Sequence, residues 1–200
     1  MHGSFRVVTE RAVFAMPETA IGFFPDVGGS HFLPRLPGKL GYYLALTGHR
    51  LTGRDIFKAG IATHFVPSAN LKSLEEEVMR LDNPDIVSID RILSKYQEQW
   101  EPDYKKEFTL KPFIGRINSA FDENLTLEQI LDKLKQDHSE WAQKQYDALI
   151  KMSPTSLKVS FEILKQGHKL TLPECLKMEY RVALRFMEAD DFFTGVRSGK

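Results

Sequence analysis

The apolar positions of this chain change period once. Before residue 70 they come in short β-branched or alternating runs broken by Gly and Pro, and after it they recur at three- and four-residue spacing. The early runs predict strands at Phe5–Val8 (FRVV), Val13–Met16 (VFAM) and Ile61–Val66 (IATHFV), the last entered from Gly60 and closed by Pro67. Between the second and third lies a Gly/Pro loop from Gly22 to Gly29. It is followed by helices expected around Ser30–Leu36, with Ser30 as the cap, and at Lys39–Leu46. "LTGRDIFKAG" reads as a short capped helix, with Thr52 as N-cap, Asp55 three residues on and Gly60 as the stop.

Beyond residue 70 the helical period dominates. "NLKSLEEEVMRL" sets Leu71, Leu74, Val78 and Leu81 on one face, and "DIVSIDRILSKY" follows Pro84. "LTLEQILDKLKQD" opens on a Thr126/Gln129 capping pair, and "SEWAQKQYDALIKM" runs to Met152. "SPTSLKVSFEILKQG" has Ser153 as N-cap, Pro154 at the first helical position and Gly167 as stop. "LPECLKMEYRVALRFMEADDFF" closes the set. The charged stretch Gln97–Pro112 reads as an insertion or linker. The expected division is a strand-bearing core, 1–69, and a helical region, 70–200. Two or three short strands cannot close a stable sheet alone, because their edges stay unpaired. The chain therefore reads as part of a sheet completed by a partner chain or by a longer polypeptide.

Composition narrows the function classes. Lysine and arginine number 27 and so do aspartate and glutamate, which gives no basic excess for nucleic acid and no acidic tail. The single cysteine, Cys175, cannot pair internally, which points to a reducing compartment. No apolar run approaches the ~18 residues of a membrane span, and the first twenty residues read as neither a secretory signal nor a transit peptide. Phosphate-cradle motifs, HExxH and CxxC do not occur. The six histidines are dispersed at positions 2, 31, 49, 64, 138 and 168, so neither a metal nor a resident cofactor is expected. Ser30 beside His31 lacks the nucleophile-elbow pattern.

Two acids remain, Glu18 and Asp26, in "FAMPETAIGFFPDVGGSHFLPRL" (Phe14–Leu36). One reading is structural: "PDVG" as a type I turn with Pro25 second and Asp26 third, and Glu18 as a cap for a helix near Thr19. The other is a paired-carboxylate site. There Glu18 ends a strand and Asp26 rides the loop into a helix. Burial among Phe14, Met16, Ile21, Phe23 and Phe24 would raise a carboxylate pKa into the range useful for acid or base work. Gly28 and Gly29 would allow close backbone approach to a ligand.

These residues carry a resemblance. "FAMPETAIGFFPDVGG", "GKLGYYLALTG", "RLTGRD" and "GIATHFV", then "MSPTSLKVSFEIL", "LKMEYRVALRFM" and "DFFTGVR", resemble the crotonase (enoyl-CoA hydratase/isomerase) superfamily from His2 to about Arg197. Within it they are most similar to its short-chain β-hydroxyacyl-CoA thioester hydrolases. The hydratases and isomerases typically carry glycine where this chain has Asp26.

The resemblance implies an α/β fold: the later half of a right-handed ββα superhelix, followed by a mostly helical region and often assembled as homo-oligomers. It implies hydrolysis of a small β-hydroxyacyl-CoA in valine breakdown, in mitochondria, with CoA as part of the substrate. Glu18 would be the principal catalytic carboxylate, as nucleophile or base. Asp26 would be its partner, with Phe24, Gly28 and Gly29 lining the acyl site. In the family the oxyanion hole comes from two backbone N–H groups that precede "HGxFRV". Since this chain starts at Met1–His2–Gly3, those donors and most of the upstream CoA surface are expected to lie outside it. The alternatives are a truncated form without catalysis and an enoyl-CoA hydratase or isomerase activity.

Overall fold

The computed structural model describes residues 1–98 and 106–198. Among these described residues, four two-residue strands form two pairs. β1 (Val7–Val8) runs parallel to β4 (His64–Phe65), with Val7 opposite His64 and Val8 opposite Phe65. β2 (Val13–Phe14) runs antiparallel to β3 (Leu51–Thr52), with Val13 opposite Thr52 and Phe14 opposite Leu51. The other described elements are helical, so the α/β, strand-poor architecture expected from the sequence is the one observed.

The chain divides into two compact units whose segments interleave. One comprises Met1–Phe14 and Leu51–Lys111, the other Ala15–Arg50 and Pro112–Lys200. That division follows three-dimensional contacts. The expected division at 69/70 rests on element content along the sequence.

In the first unit both strand pairs are joined by α3 (Arg54–Lys58), α4 (Leu71–Met79) and α5 (Ile86–Glu98). Val66, Leu74, Ile92, Leu93 and Tyr96 form its core, with Leu71, Val78 and Leu81 packed against them, which is the helical face anticipated for α4. The expected role of Thr52 is corrected here. Thr52 is consumed by the β2–β3 ladder, and the cap of α3 passes to Gly53, at φ 44° and ψ −113°. Asp55 makes no capping box. Its buried carboxylate accepts from the backbone N–H and hydroxyl of Thr109, a long-range pairing invisible in local sequence. Of the Gln97–Pro112 stretch, residues 99–105 lie outside the described residues.

The second unit is built around α2 (Leu40–Thr47), where every residue from Leu40 to Leu46 is buried. A helix apolar all round must be enclosed by others. Against it pack α6 (Ile114–Ala120), α8 (Glu140–Leu149) and α9 (Pro154–Gly167), and α1 (Gly29–Phe32) and α7 (Leu127–Gln136) pack in turn on α9. Tyr42 meets Phe161 edge-on, while Tyr43 meets Phe121 edge-on and lies tilted against Trp141. Gly41 is obligatory: a Cβ there would sit 1.8 Å from the carbonyl oxygen of Leu33. The Thr126/Gln129 capping box is present in both directions, and Ser153 accepts from the Ser156 N–H with Pro154 at the first helical position, as the sequence predicts.

The last helical run is two helices rather than one. α10 (Leu172–Glu188) ends at Ala189, whose extended backbone (φ −106°, ψ 162°) starts α11 (Asp190–Arg197). Ser153 Oγ donates to Asp191 Oδ2 at 2.5 Å and ties that start down.

Candidate active site

Glu18 opens a short 3₁₀ helix, Glu18–Ile21, rather than ending a strand. Three restraints hold this turn within its unit. The Thr19 hydroxyl, fully buried, donates to the Leu46 carbonyl at 3.2 Å near the end of α2. The Phe23 N–H donates back to the Glu18 carbonyl at 2.9 Å. Two glycines allow α11 to close against the turn. A Cβ on Gly22 (φ 70°) would lie 2.3 Å from the Asp191 oxygen, and one on Gly195 would lie 2.3 Å from the Ile21 carbonyl.

The carboxyl of Glu18 is largely buried. Loss of hydration is the main cause that lifts its pKa from 4.5 to about 7, and the charge of Asp26 adds to the lift. One oxygen, Oε2, is buried and finds no hydrogen-bond partner among the described residues. Buried carboxylate oxygens are normally satisfied, so such an exception calls for a functional reason. A carboxyl that titrates near neutrality with an unsatisfied oxygen is equipped to accept a proton from a bound substrate or water.

Asp26 lies on the loop into α1, partly exposed. The turn is not centred on Pro25–Asp26 as expected. Its centre is Val27–Gly28, closed by the Gly29 N–H donating to the Asp26 carbonyl at 2.8 Å. Both central residues have positive φ, 49° at Val27 and 84° at Gly28. Glycine adopts this readily, but a β-branched residue is strained there, at a cost of about 1–3 kcal/mol. Val27 is also 70% exposed, so apolar burial does not offset that cost.

The loop is held by a residue the sequence reading passed over. Glu179 of α10, only 3% exposed, takes the Gly28 N–H on Oε2 at 2.8 Å. On Oε1 it takes the Ser30 N–H at 3.0 Å and the Ser30 hydroxyl at 2.5 Å. Ser30 is therefore neither the cap of α1, a place held by Gly28, nor free to act as a nucleophile with His31. The sequence carried a signal for Glu179. It falls in phase with Cys175 and Phe186, the other buried residues of α10, and an acid on a buried stripe needs donors.

Phe24 is wholly buried in an aromatic cluster, with ring centroids 4.5 Å from Phe23 and 5.3 Å from Phe186. Gly28 and Gly29 are buried, and their N–H groups are bonded to Glu179 and to the Asp26 carbonyl. A Cβ on Gly29 would press on Pro25 Cβ at 3.1 Å. Turn geometry and packing thus account for both glycines. No helix among the described residues is long and apolar enough to cross a membrane.

Comparison with known proteins bears on the family of the chain. A sequence model described as enoyl-CoA hydratase/isomerase matches residues 1–199. The chain is 52% identical over 198 residues to the 3-hydroxyisobutyryl-CoA hydrolase, mitochondrial, of Gallus gallus, and 53% and 52% identical to those of Bos taurus and Homo sapiens. Each alignment covers 99% of this chain and 51% of the relative, so the chain spans about half the length of the curated relatives it matches.

Among solved structures, a carnitinyl-CoA dehydratase from Mycobacterium thermoresistibile superposes with a TM-score of 0.86 at 32% identity, covering 99% of this chain and 55% of that one. An enoyl-CoA hydratase from Rhodobacter sphaeroides 2.4.1 gives 0.80 at 33% identity, covering 99% and 54%. Matched along nearly its whole length in both sequence and backbone, the chain belongs to the enoyl-CoA hydratase/isomerase family.

Proposed function

We propose that the protein carrying this chain hydrolyses short β-hydroxyacyl-CoA thioesters, with 3-hydroxyisobutyryl-CoA as substrate, and that it works in mitochondria, as its curated relatives do by name. The observation that carries the chemistry is Glu18, a buried carboxyl titrating at about 7 with one oxygen unsatisfied among the described residues. Identity to the hydrolases near 52%, against 32–33% to the dehydratase and hydratase structures, supports hydrolysis over hydration.

In this reading ionised Glu18 takes a proton from the water that attacks the acyl carbon, the carbon–sulfur bond breaks, and the departing thiolate of CoA receives that proton. Where Glu18 itself attacks, the carbon–sulfur bond breaks to leave thiolate and an acyl–Glu18 anhydride, which water then hydrolyses, freeing the Glu18 carboxylate and the acid and supplying the thiolate's proton. The net change is water plus thioester to carboxylic acid plus thiol. A thioester lacks amide-like resonance and its thiolate leaves readily, so one carboxylate of this pKa suffices as the basic group. The charge of Asp26 adds to the burial that raises the pKa of Glu18, and Asp26 orients water or the substrate's β-hydroxyl. Donors for the developing oxyanion must come from elsewhere, because the N–H groups of Gly28, Gly29 and Ser30 are already bonded within the chain. CoA belongs to the substrate, and no separate cofactor enters the scheme. Association as a homo-oligomer is part of the proposal.

The test is thiol release from 3-hydroxyisobutyryl-CoA, measured beside hydration of crotonyl-CoA. Thiol release that falls at least ~100-fold in Glu18→Gln is expected of a lost general base or nucleophile. A second reading, hydration of an enoyl-CoA, is favoured by the fold agreement with a dehydratase and a hydratase. Crotonyl-CoA hydration without thiol release would establish it and overturn the first.

A further inference from the structure

Glu179 stands 151 residues from Gly28 in sequence, yet it spends its whole carboxylate on the Asp26 loop. Its three bonds straddle the turn. One reaches Gly28 on one side, and two reach Ser30 on the other. The N–H between them, that of Gly29, closes on the Asp26 carbonyl. Every backbone donor from 28 to 30 is thereby bonded, and in this bonded turn Val27 stands at φ 49°. A valine left to itself relaxes to negative φ, and that rotation would swing its neighbour Asp26. The side chain of Val27 is exposed, so apolar burial does not oppose the rotation, whereas the Glu179 carboxylate is bonded on both sides of the turn.

We propose that Glu179 is the positioning residue of the site: it holds the Val27–Gly28 turn in its left-handed form and so sets where Asp26 stands relative to Glu18. The inference rests on the carboxylate reading above. Two features support this role over simple filling of α10's buried stripe. Apolar packing would have been served by a leucine at 179, without the desolvation of a carboxylate. And among the described residues all three of its side-chain bonds fall on Gly28 and Ser30, where the Asp26 loop enters α1, and none on its own helix. Glu179 touches no reacting atom, so its effect runs through Asp26.

The test uses the protein as expressed at its natural length, in four forms: wild type, Glu179→Gln, Val27→Gly, and Glu179→Gln with Val27→Gly. Glutamine keeps the shape but replaces one acceptor with a donor, so one side of the turn is released. Glycine at 27 removes the penalty of the left-handed turn, so the turn no longer needs the clamp. Two readouts are taken. The first is the titration of Glu18, followed by carboxyl-carbon NMR with Glu18→Gln for assignment. The second is kcat and KM for thiol release.

Glu179→Gln is expected to lower the Glu18 pKa, as Asp26 moves off, and to lower kcat roughly 10- to 100-fold, the usual consequence of misplacing a group by about 1 Å. Val27→Gly alone should leave both readouts near wild type, and in the double variant it should recover most of the loss. Glu179→Gln with unchanged titration and rate would overturn the proposal. So would a loss that Val27→Gly does not relieve, which is what a purely structural Glu179 gives, including one whose substitution unfolds the protein. The titration needs no turnover, so failure of the thioesterase reading shows as absent thiol release in all four forms, while the titration still decides the role of Glu179.

Discussion

Glu18→Gln should make the protein more stable above neutral pH while removing its turnover. The folded-state pKa of Glu18 is raised from 4.5 to about 7, chiefly because burial penalises the charge. Below 4.5 both folded and unfolded chains hold the proton, and the group contributes no difference. Between 4.5 and about 7 the folded chain keeps the proton that the unfolded chain has released, so stability falls as pH rises. Above about 7 both are ionised, and the folded state bears the full cost of a buried charge. A displacement of that size corresponds to about 3 kcal/mol. The carboxyl keeps some access to solvent, so about half of this, roughly 1.5 kcal/mol, is expected in practice.

Glutamine has the same shape and no charge, so the variant should match wild type at pH 4 and exceed it at pH 8 by that amount, or about 3–6 °C in Tm for a chain of this size. Urea unfolding of both proteins at pH 4, 6 and 8 measures it. Parallel pH dependences, or a variant less stable at pH 8, would refute the claim that Glu18 is buried against its ionisation.

Other outcomes follow from the same structure. Thiol release should rise with pH through about 7, as Glu18 ionises, and a kcat/KM profile flat from pH 6 to 8 would contradict it. Gly41→Ala should cost about 3 kcal/mol or prevent folding, because its Cβ would lie 1.8 Å from the Leu33 carbonyl oxygen with no side chain to yield; the urea midpoint reports it. Val27→Gly should stabilise by about 1 kcal/mol, since it relieves a left-handed β-branched residue that is 70% exposed, and thermal unfolding would show this. Thr126→Ala should lose about 1 kcal/mol with its capping box, measured in the same way.

Local chemistry was enough wherever a residue and its partner are neighbours in the chain. The face of α4, the Thr126/Gln129 box and the Ser153–Pro154 start of α9 were all legible, because they depend on three- and four-residue spacing alone. Glu18 and Asp26 could be picked out as acids in apolar company, and their motif carried the family. Sequence alone did not separate a turn aspartate from a site aspartate, since both readings fit "PDVG". Tertiary structure decided what depends on distant partners. β3 exists because Val13 and Phe14 pair with Thr52 and Leu51, which took Thr52 from the helix cap it resembled. Asp55 answers to Thr109, and Ser30 to Glu179. The turn after Asp26 is left-handed at a valine, a conformation its own preferences oppose, and Glu179 is bonded to both sides of it. Burial and charge then fix the pKa of Glu18, and neither can be read from spacing, because both depend on which surfaces the fold brings together.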